Sequence, residues 1–225
     1  MDERIEYSFN GKNLGFGVAH NIALKKSIEN DISYHLVLNP DVYYEKGVLE
    51  ELVKYMENNT DVANVMPKVY YPNGKLQYLC KMLPTPKELI VRRFIPTSSS
   101  VVQDINKKFE LHDSGYNKEM NIPYLSGCFM LLRVDALKSV GLFDENMFMY
   151  MEDLDLNRRL YKKYKTIFYP YTNIVHVHAK ASYKRKALFF EHIKATIYYF
   201  NKWGWFFDKE RKKINKELLR RIKKS

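Results

Sequence analysis

Long apolar runs are missing from this chain, and cysteine is nearly so. No stretch approaches the roughly 20 apolar residues of a membrane-spanning helix; the densest burst, Cys128–Leu132, is far shorter. The first residues, Met1-Asp2-Glu3-Arg4, offer neither a basic n-region nor an apolar h-region, so no secretory signal is expected. Two cysteines, Cys80 and Cys128, are too few and too distant for a disulfide framework or a zinc cluster. Free thiols in a reducing cytoplasm are the expectation. Internal repeats are absent, and so is any recognisable nucleic-acid-binding module.

What is present is a chain able to fold. Its 225 residues are 46% hydrophobic and 15% aromatic, which suits one domain with a sizeable core, or one domain with an appendage. The net charge of +11 invites a nucleic-acid reading until its distribution is examined. Residues 1–179 hold 22 basic and 22 acidic side chains, whereas residues 180–225 hold 15 and 4. The excess belongs to the tail.

Local patterning predicts an α/β domain. Ile5–Phe9 reads as a short strand, Leu14–Ile28 as a helix, and His35–Leu38, stopped by Pro40, as a strand of a buried parallel sheet. A helix at Gly47–Asn58 and a strand at Val62–Met66 complete a βαβ unit. Val69–Tyr71 and Leu76–Tyr78 flank Pro72-Asn73-Gly74-Lys75, a hairpin signal. Residues 84–120 read as a mobile surface loop. Then follow a strand at Tyr124–Arg133, a short helix from Val134, a helix at Glu152–Tyr164, strands at Thr166–Tyr169 and Ile174–His178, and helices at Lys186–Trp203 and Phe207–Lys224.

Four constellations carry polar groups of possible chemical use. Asp41, after Asn39-Pro40, stands beyond the carboxyl end of a strand, where a carboxylate can hold a divalent cation; a turn-capping Asp is the alternative. Five acids, Asp144, Glu145, Glu152, Asp153 and Asp155, fall within 12 residues. Either they are ordinary acids at a helix N-terminus, or clustering shifts their pKa values and leaves one as a general base. His176 and His178 share one face of a strand, as a metal-ligating histidine beside Asp41 or as a hydrogen-bonded pair. Asn13, Gly15, Gly17 and Asn21 open a helix in the manner of a phosphate- or sugar-approaching turn, a weak signal alone.

Together these motifs are more specific. Asn13-Leu14-Gly15-Phe16-Gly17-Val18-Ala19-His20-Asn21, Leu38-Asn39-Pro40-Asp41-Val42, Tyr124-Leu125-Ser126-Gly127-Cys128, Gly141-Leu142-Phe143-Asp144-Glu145, Tyr150-Met151-Glu152-Asp153-Leu154-Asp155-Leu156 and Ile174-Val175-His176 follow one another in an order that resembles family 2 glycosyltransferases, most of all their rhamnosyltransferase-like branch. The resemblance implies a GT-A mixed sheet flanked by helices over residues 1–183, with an aromatic and basic helical extension over 184–225. It implies an inverting enzyme that uses Mg²⁺ or Mn²⁺ and moves a sugar, rhamnose among the candidates, from a nucleotide-diphosphate donor. The acceptor would be a growing bacterial surface polysaccharide or a lipid-linked saccharide. By position, Asn39 and Asp41 match the metal and donor element, with Asn39 replacing its first acid, and His176 completes the metal contacts. Asp153 matches the base and Glu152 assists it. Asn13, Gly15, Gly17 and Asn21 fall on the donor side; Tyr124, Ser126 and Gly127 on the acceptor side.

Family members normally carry a further strand–helix–strand before the Asn13–Asn21 motif. An N-terminally incomplete fold is therefore expected, with impaired donor binding or a partner-binding remnant as the alternative to a working enzyme. Aromatic residues around Trp203–Phe207, followed by a basic helix, suggest a tail on anionic membrane; packing of those aromatics on the core is the alternative. The sequence thus points to a cytoplasmic protein peripheral to the inner face of the membrane, without nucleic acid as a partner.

Overall fold

The computed structural model describes residues 2–177 and 186–223; His178 and the charges at 180–185 lie outside them. Eight strands are present among the described residues: β1 (Tyr34–Leu38), β2 (Val42–Tyr43), β3 (Val62–Tyr70), β4 (Cys80–Lys81), β5 (Met120–Asn121), β6 (Tyr124–Leu125), β7 (Phe129–Arg133) and β8 (Lys165–His176). The main sheet runs β1-β7-β3-β8-β2, with β5 added against β8, and β4 and β6 form a separate ribbon. Helices are α1 (Phe16–Glu29), α2 (Val48–Asn58), α3 (Pro86–Phe94), α4 (Ser100–Phe109), α5 (Val134–Val140), α6 (Glu152–Tyr161), α7 (Lys186–Trp203) and α8 (Lys209–Ile222).

The sheet is mixed. β3 and β8 are parallel, while β7 runs antiparallel to both β1 and β3 and separates them. The expected parallel sheet is thus corrected to a mixed one: β1 and β3 point the same way, with antiparallel β7 between them. Side chains alternate along β7 as strand geometry requires. Phe129 and Leu131 enter a core with Leu52, Met56 and Phe168, while Met130 and Leu132 enter another with Leu24, Leu137 and Leu160.

Other expectations need correction. Ile5–Phe9 is no strand; Ile5, Tyr7 and Phe9 are exposed and pair with none of the described strands. Residues 84–120 are not a loop. Thr85 accepts a hydrogen bond from the Glu88 amide, the Glu88 carboxylate accepts one from the Thr85 amide, and Pro86 occupies the first helical position, so α3 starts from a full capping box. Val102 and Phe109 then anchor α4 in the core. The strand expected at Tyr124–Arg133 is interrupted at Ser126–Cys128, and the two short strands after Tyr164 are one, β8, with an irregularity opposite Pro67–Lys68. The Asn73-Gly74 turn is formed, with Tyr71 donating to Lys75 and Tyr70 bridged to Leu76.

The C-terminal helices pack on the body. Ala195, Tyr199 and Phe200 of α7 and Ile214 of α8 share a buried cluster with Leu83, Met147 and Leu154. Each large side chain so buried contributes about 1.5–3 kcal/mol. The Trp203 indole donates to Asp155 at 2.7 Å, so that ring is core, whereas Phe206 and Phe207 stay exposed.

Candidate active site

The acid cluster sorts itself by partner. Asp144 is held by Lys202 at 2.7 Å and by Asn146, and, although partial burial opposes it, its carboxyl falls to about 2. Glu145 meets Asn21 and Lys25. Asp155, fully buried, accepts from Arg159 at 2.8 Å and from Trp203, with Lys202 at 2.9 Å. These three acids bind the C-terminal helix and the 143–148 loop to the body. Glu152 and Asp153 are left.

Asp153 sits at the start of α6, where the helix dipole favours an anion. Its carboxylate accepts from the Gly127 amide at 2.9 Å and the Leu154 amide at 2.8 Å. Gly127 leaves room for that contact: a Cβ there would lie 3.1 Å from Asp153 Cβ and 3.4 Å from its Oδ2. Burial raises the pKa of Asp153, opposed by Lys81 and the Gly127 and Leu154 amides. Burial raises Glu152 further, to about 8, with the charge on Asp153 adding to the effect, and Glu152 Oε2 is buried without a hydrogen-bond partner. Fixed donors favour the anion on Asp153 and leave the proton with Glu152. Tyr150 and Met151 just before them have φ of 71° and 66°, a left-handed pair that costs backbone energy and sets the two acids at the cleft.

The second pole lies at the β2–β8 pairing. Val42 stands opposite His176, which brings Asp41, one residue earlier, to 3.4 Å from His176 Nε2. Gln77 clamps the histidine twice: its amide donates to the His176 carbonyl at 2.6 Å, and its Oε1 lies 3.1 Å from Nδ1. With Nδ1–H directed at Gln77, Nε2 keeps its lone pair toward Asp41. Burial lowers the pKa of His176, with Asp41 opposing, which favours the neutral imidazole a metal needs. A carboxylate and a neutral imidazole at this spacing fit two coordination positions of Mg²⁺ or Mn²⁺. Among the described residues no group of three His, Cys, Asp or Glu side chains could hold a metal by itself. Other ligands would have to come from substrate or water.

His176 and Asp153 both border one cleft of about 780 Å³, together with Asn39, Tyr124, Ser126, Gly127 and Glu152, and Asp41 adjoins it through His176. The sequence-predicted donor group behaves differently. Asn13 accepts from the Gly15 amide, and Phe16 donates to the Phe148 carbonyl at 2.9 Å. A Cβ on Gly15 (φ 83°) would lie 2.1 Å from that carbonyl oxygen, and one on Gly17 would lie 3.0 Å from Phe143 Cβ. Buried Asn21 donates to the Phe143 carbonyl and accepts from its amide. Gly15, Gly17 and Asn21 therefore seat the 143–148 loop on α1.

Three residues escaped the sequence reading. Gln77 carried no signal beyond its place in the hairpin. Asn157 donates to the Leu125 and Asp153 carbonyls and accepts from Asn64, locking α6 to β6 and β3; its position four residues after Asp153 is the signal that was there. Lys81 lines the cleft with Nζ 5.0 Å from the centre of the Tyr124 ring.

N-acetylglucosaminyl-diphospho-decaprenol L-rhamnosyltransferase of Mycobacterium tuberculosis is 27% identical over 179 residues, covering 74% of this chain and 56% of that protein. Rhamnosyltransferase WbbL of Escherichia coli is 31% identical over 198 residues, covering 82% of this chain and 69% of its own. The chain thus spans about half the length of the mycobacterial relative. A crystal structure of GalNAc-T7 with UDP, GalNAc and Mn²⁺ shares the fold, with a TM-score of 0.50 at 14% identity over 75% of this chain and 31% of that one. The model of glycosyl transferase family 2 matches residues 1–141. Its fold, and its likeness to both rhamnosyltransferases, agree: the chain belongs to glycosyl transferase family 2.

Proposed function

We propose that this chain is an inverting, metal-dependent glycosyltransferase that moves a sugar, rhamnose first among candidates, from a nucleotide-diphosphate donor to a saccharide or lipid-linked saccharide acceptor. The observation that carries the reading is one cleft bordered both by the fixed carboxylate of Asp153 and by His176, which pairs with Asp41. Asp41 and His176 would hold a divalent cation, which supplies charge neutralisation for the departing diphosphate. Asn39 borders the donor side of that pole, while Asn13, Gly15, Gly17 and Asn21 support it through the loop they seat.

Asp153 takes the proton of the acceptor hydroxyl as that oxygen attacks the anomeric carbon from the face opposite the diphosphate. A base so placed contributes about 10²–10⁴-fold. Glu152, protonated beside the base, would help orient it or hold the acceptor. Tyr124, Ser126 and Gly127 form that side of the cleft. Among the described residues no helix is long and apolar enough to cross a membrane.

The test is transfer itself. The full chain, Mn²⁺, a panel of nucleotide sugars and a prenyl-diphosphate-linked N-acetylglucosamine acceptor should give a glycosylated product of inverted anomeric configuration. Retained configuration, or no product with any donor, contradicts the proposal.

A further inference from the structure

The cleft has a second wall unlike the first. Away from Glu152 and Asp153 it is bordered by α3 and α7 through Leu89, Ile90, Phe94, Phe189, Ile193 and Ile197. These are carbon surfaces left in water: Ile90 is 58% exposed, Phe94 67% and Ile197 45%. Phe94 and Phe189 meet edge to face at 6.4 Å and tie the two helices together. Arg93, His192 and Thr196 also line this wall, but apolar side chains make up most of it, and hydrocarbon laid on them would be drawn out of water.

At the inner end stands Lys81. Its neighbour Arg92 is neutralised by Glu110 at 2.7 Å and also donates to Asn106 at 2.6 Å. Lys81 has no carboxylate in ion-pair contact among the described residues; its ammonium rests over the Tyr124 ring, next to the residues that hold Asp153. A half-buried ammonium on the same cleft as an apolar wall is matched by one kind of ligand, an anion joined to a hydrocarbon chain.

We propose that Lys81 and the α3–α7 wall form a subsite for the prenyl diphosphate of a lipid-linked acceptor, with the diphosphate against Lys81, the chain between the helices, and the attached saccharide at Glu152 and Asp153. This rests on the glycosyltransferase reading and adds to it the acceptor's anchoring group. The subsite places the acceptor hydroxyl at the base by gripping the part of the acceptor that does not react.

Farnesyl diphosphate below its micelle concentration is the probe, titrated into the full chain beside inorganic pyrophosphate and farnesol. The expected result is binding at least about tenfold tighter than either fragment, since both walls act on one ligand. Lys81→Gln should weaken farnesyl diphosphate by about tenfold, the scale of one charge-assisted contact, and Lys81→Arg should restore most of it. Ile90→Ser and Ile197→Ser, both at exposed positions, should weaken farnesyl diphosphate and leave pyrophosphate unchanged. No preference over the fragments, or an unaltered affinity in Lys81→Gln, overturns the subsite. So does equal competition by plain phosphatidylglycerol vesicles, which would assign the wall to a bilayer. Nucleoside diphosphates with Mn²⁺, titrated into the same samples, separate the two failures: their binding without farnesyl diphosphate leaves the glycosyltransferase reading standing and removes only the subsite.

Discussion

The proposed role of Asp153 leans on a glycine, Gly127. The amide of Gly127 is the fixed donor that holds the carboxylate, and any Cβ would push against Asp153 at 3.1 Å. Gly127→Ala should therefore lower kcat by about 10–100-fold, the cost of misplacing a catalytic group by a fraction of an ångström, with a smaller change in donor affinity. Wild-type kcat in that variant would show the contact to be dispensable. Glu152 makes a separate prediction at the same scale. Its pKa rises from 4.5 to about 8 on folding, so the native state holds a proton that the unfolded chain releases. The sign follows from linkage: its contribution to stability is lost as pH rises between those values. Glu152→Gln should flatten the fall in unfolding free energy across pH 5–8, measured by urea titration; an unchanged slope would mean that Glu152 is ionised in the native state. Asp41, Glu152, Asp153 and His176 were legible as residue types in motifs. Their sorting was not, because nothing in an acidic run says that Asp155 faces Trp203 while Asp153 faces a glycine amide.

At the scale of elements, the long strands and most helices follow from apolar periodicity, while the sheet order does not. β7 enters between β1 and β3 because its two faces are both apolar and fill both cores, a fact of tertiary packing rather than of local pattern. The capping box that starts α3 was written in Thr85-Pro86-Lys87-Glu88, and the prolines and serines around it drew the reading toward a loop. The turn from α7 into α8 rests on charge. Arg158, 1% exposed, pairs with Asp208 at 2.8 Å and stacks on Trp203 at 4.1 Å. Asp208 also caps α8 by accepting from the Arg211 amide. Removing Asp208 takes the closer carboxylate from a buried guanidinium, leaving Glu210 at 3.1 Å, and uncaps a helix. Asp208→Ala should thus cost about 2–4 kcal/mol in denaturant unfolding. A loss below about 1 kcal/mol, the range of exposed pairs, would mean that Glu210 and water satisfy Arg158.

For the whole molecule, the two features that dominate the composition are absorbed into one body. The basic tail supplies α7, whose inner face closes the cleft and whose Lys202 and Trp203 satisfy the acids of the 144–155 run. Phe206 and Phe207 are what remains of the aromatic group as exposed surface. Both poles of the cleft depend on pairings distant in sequence, Asp41 with His176 and Gly127 with Asp153, so the fold is what brings a motif read in pieces to a single site. The most direct measurement is the kinetics of Asp153→Asn with Mn²⁺ and the donor the chain accepts. The account predicts that transfer falls by at least about 10²-fold while the dissociation constant of the nucleotide diphosphate stays within about threefold of wild type. Transfer at the wild-type rate, or a loss confined to donor binding, would contradict it.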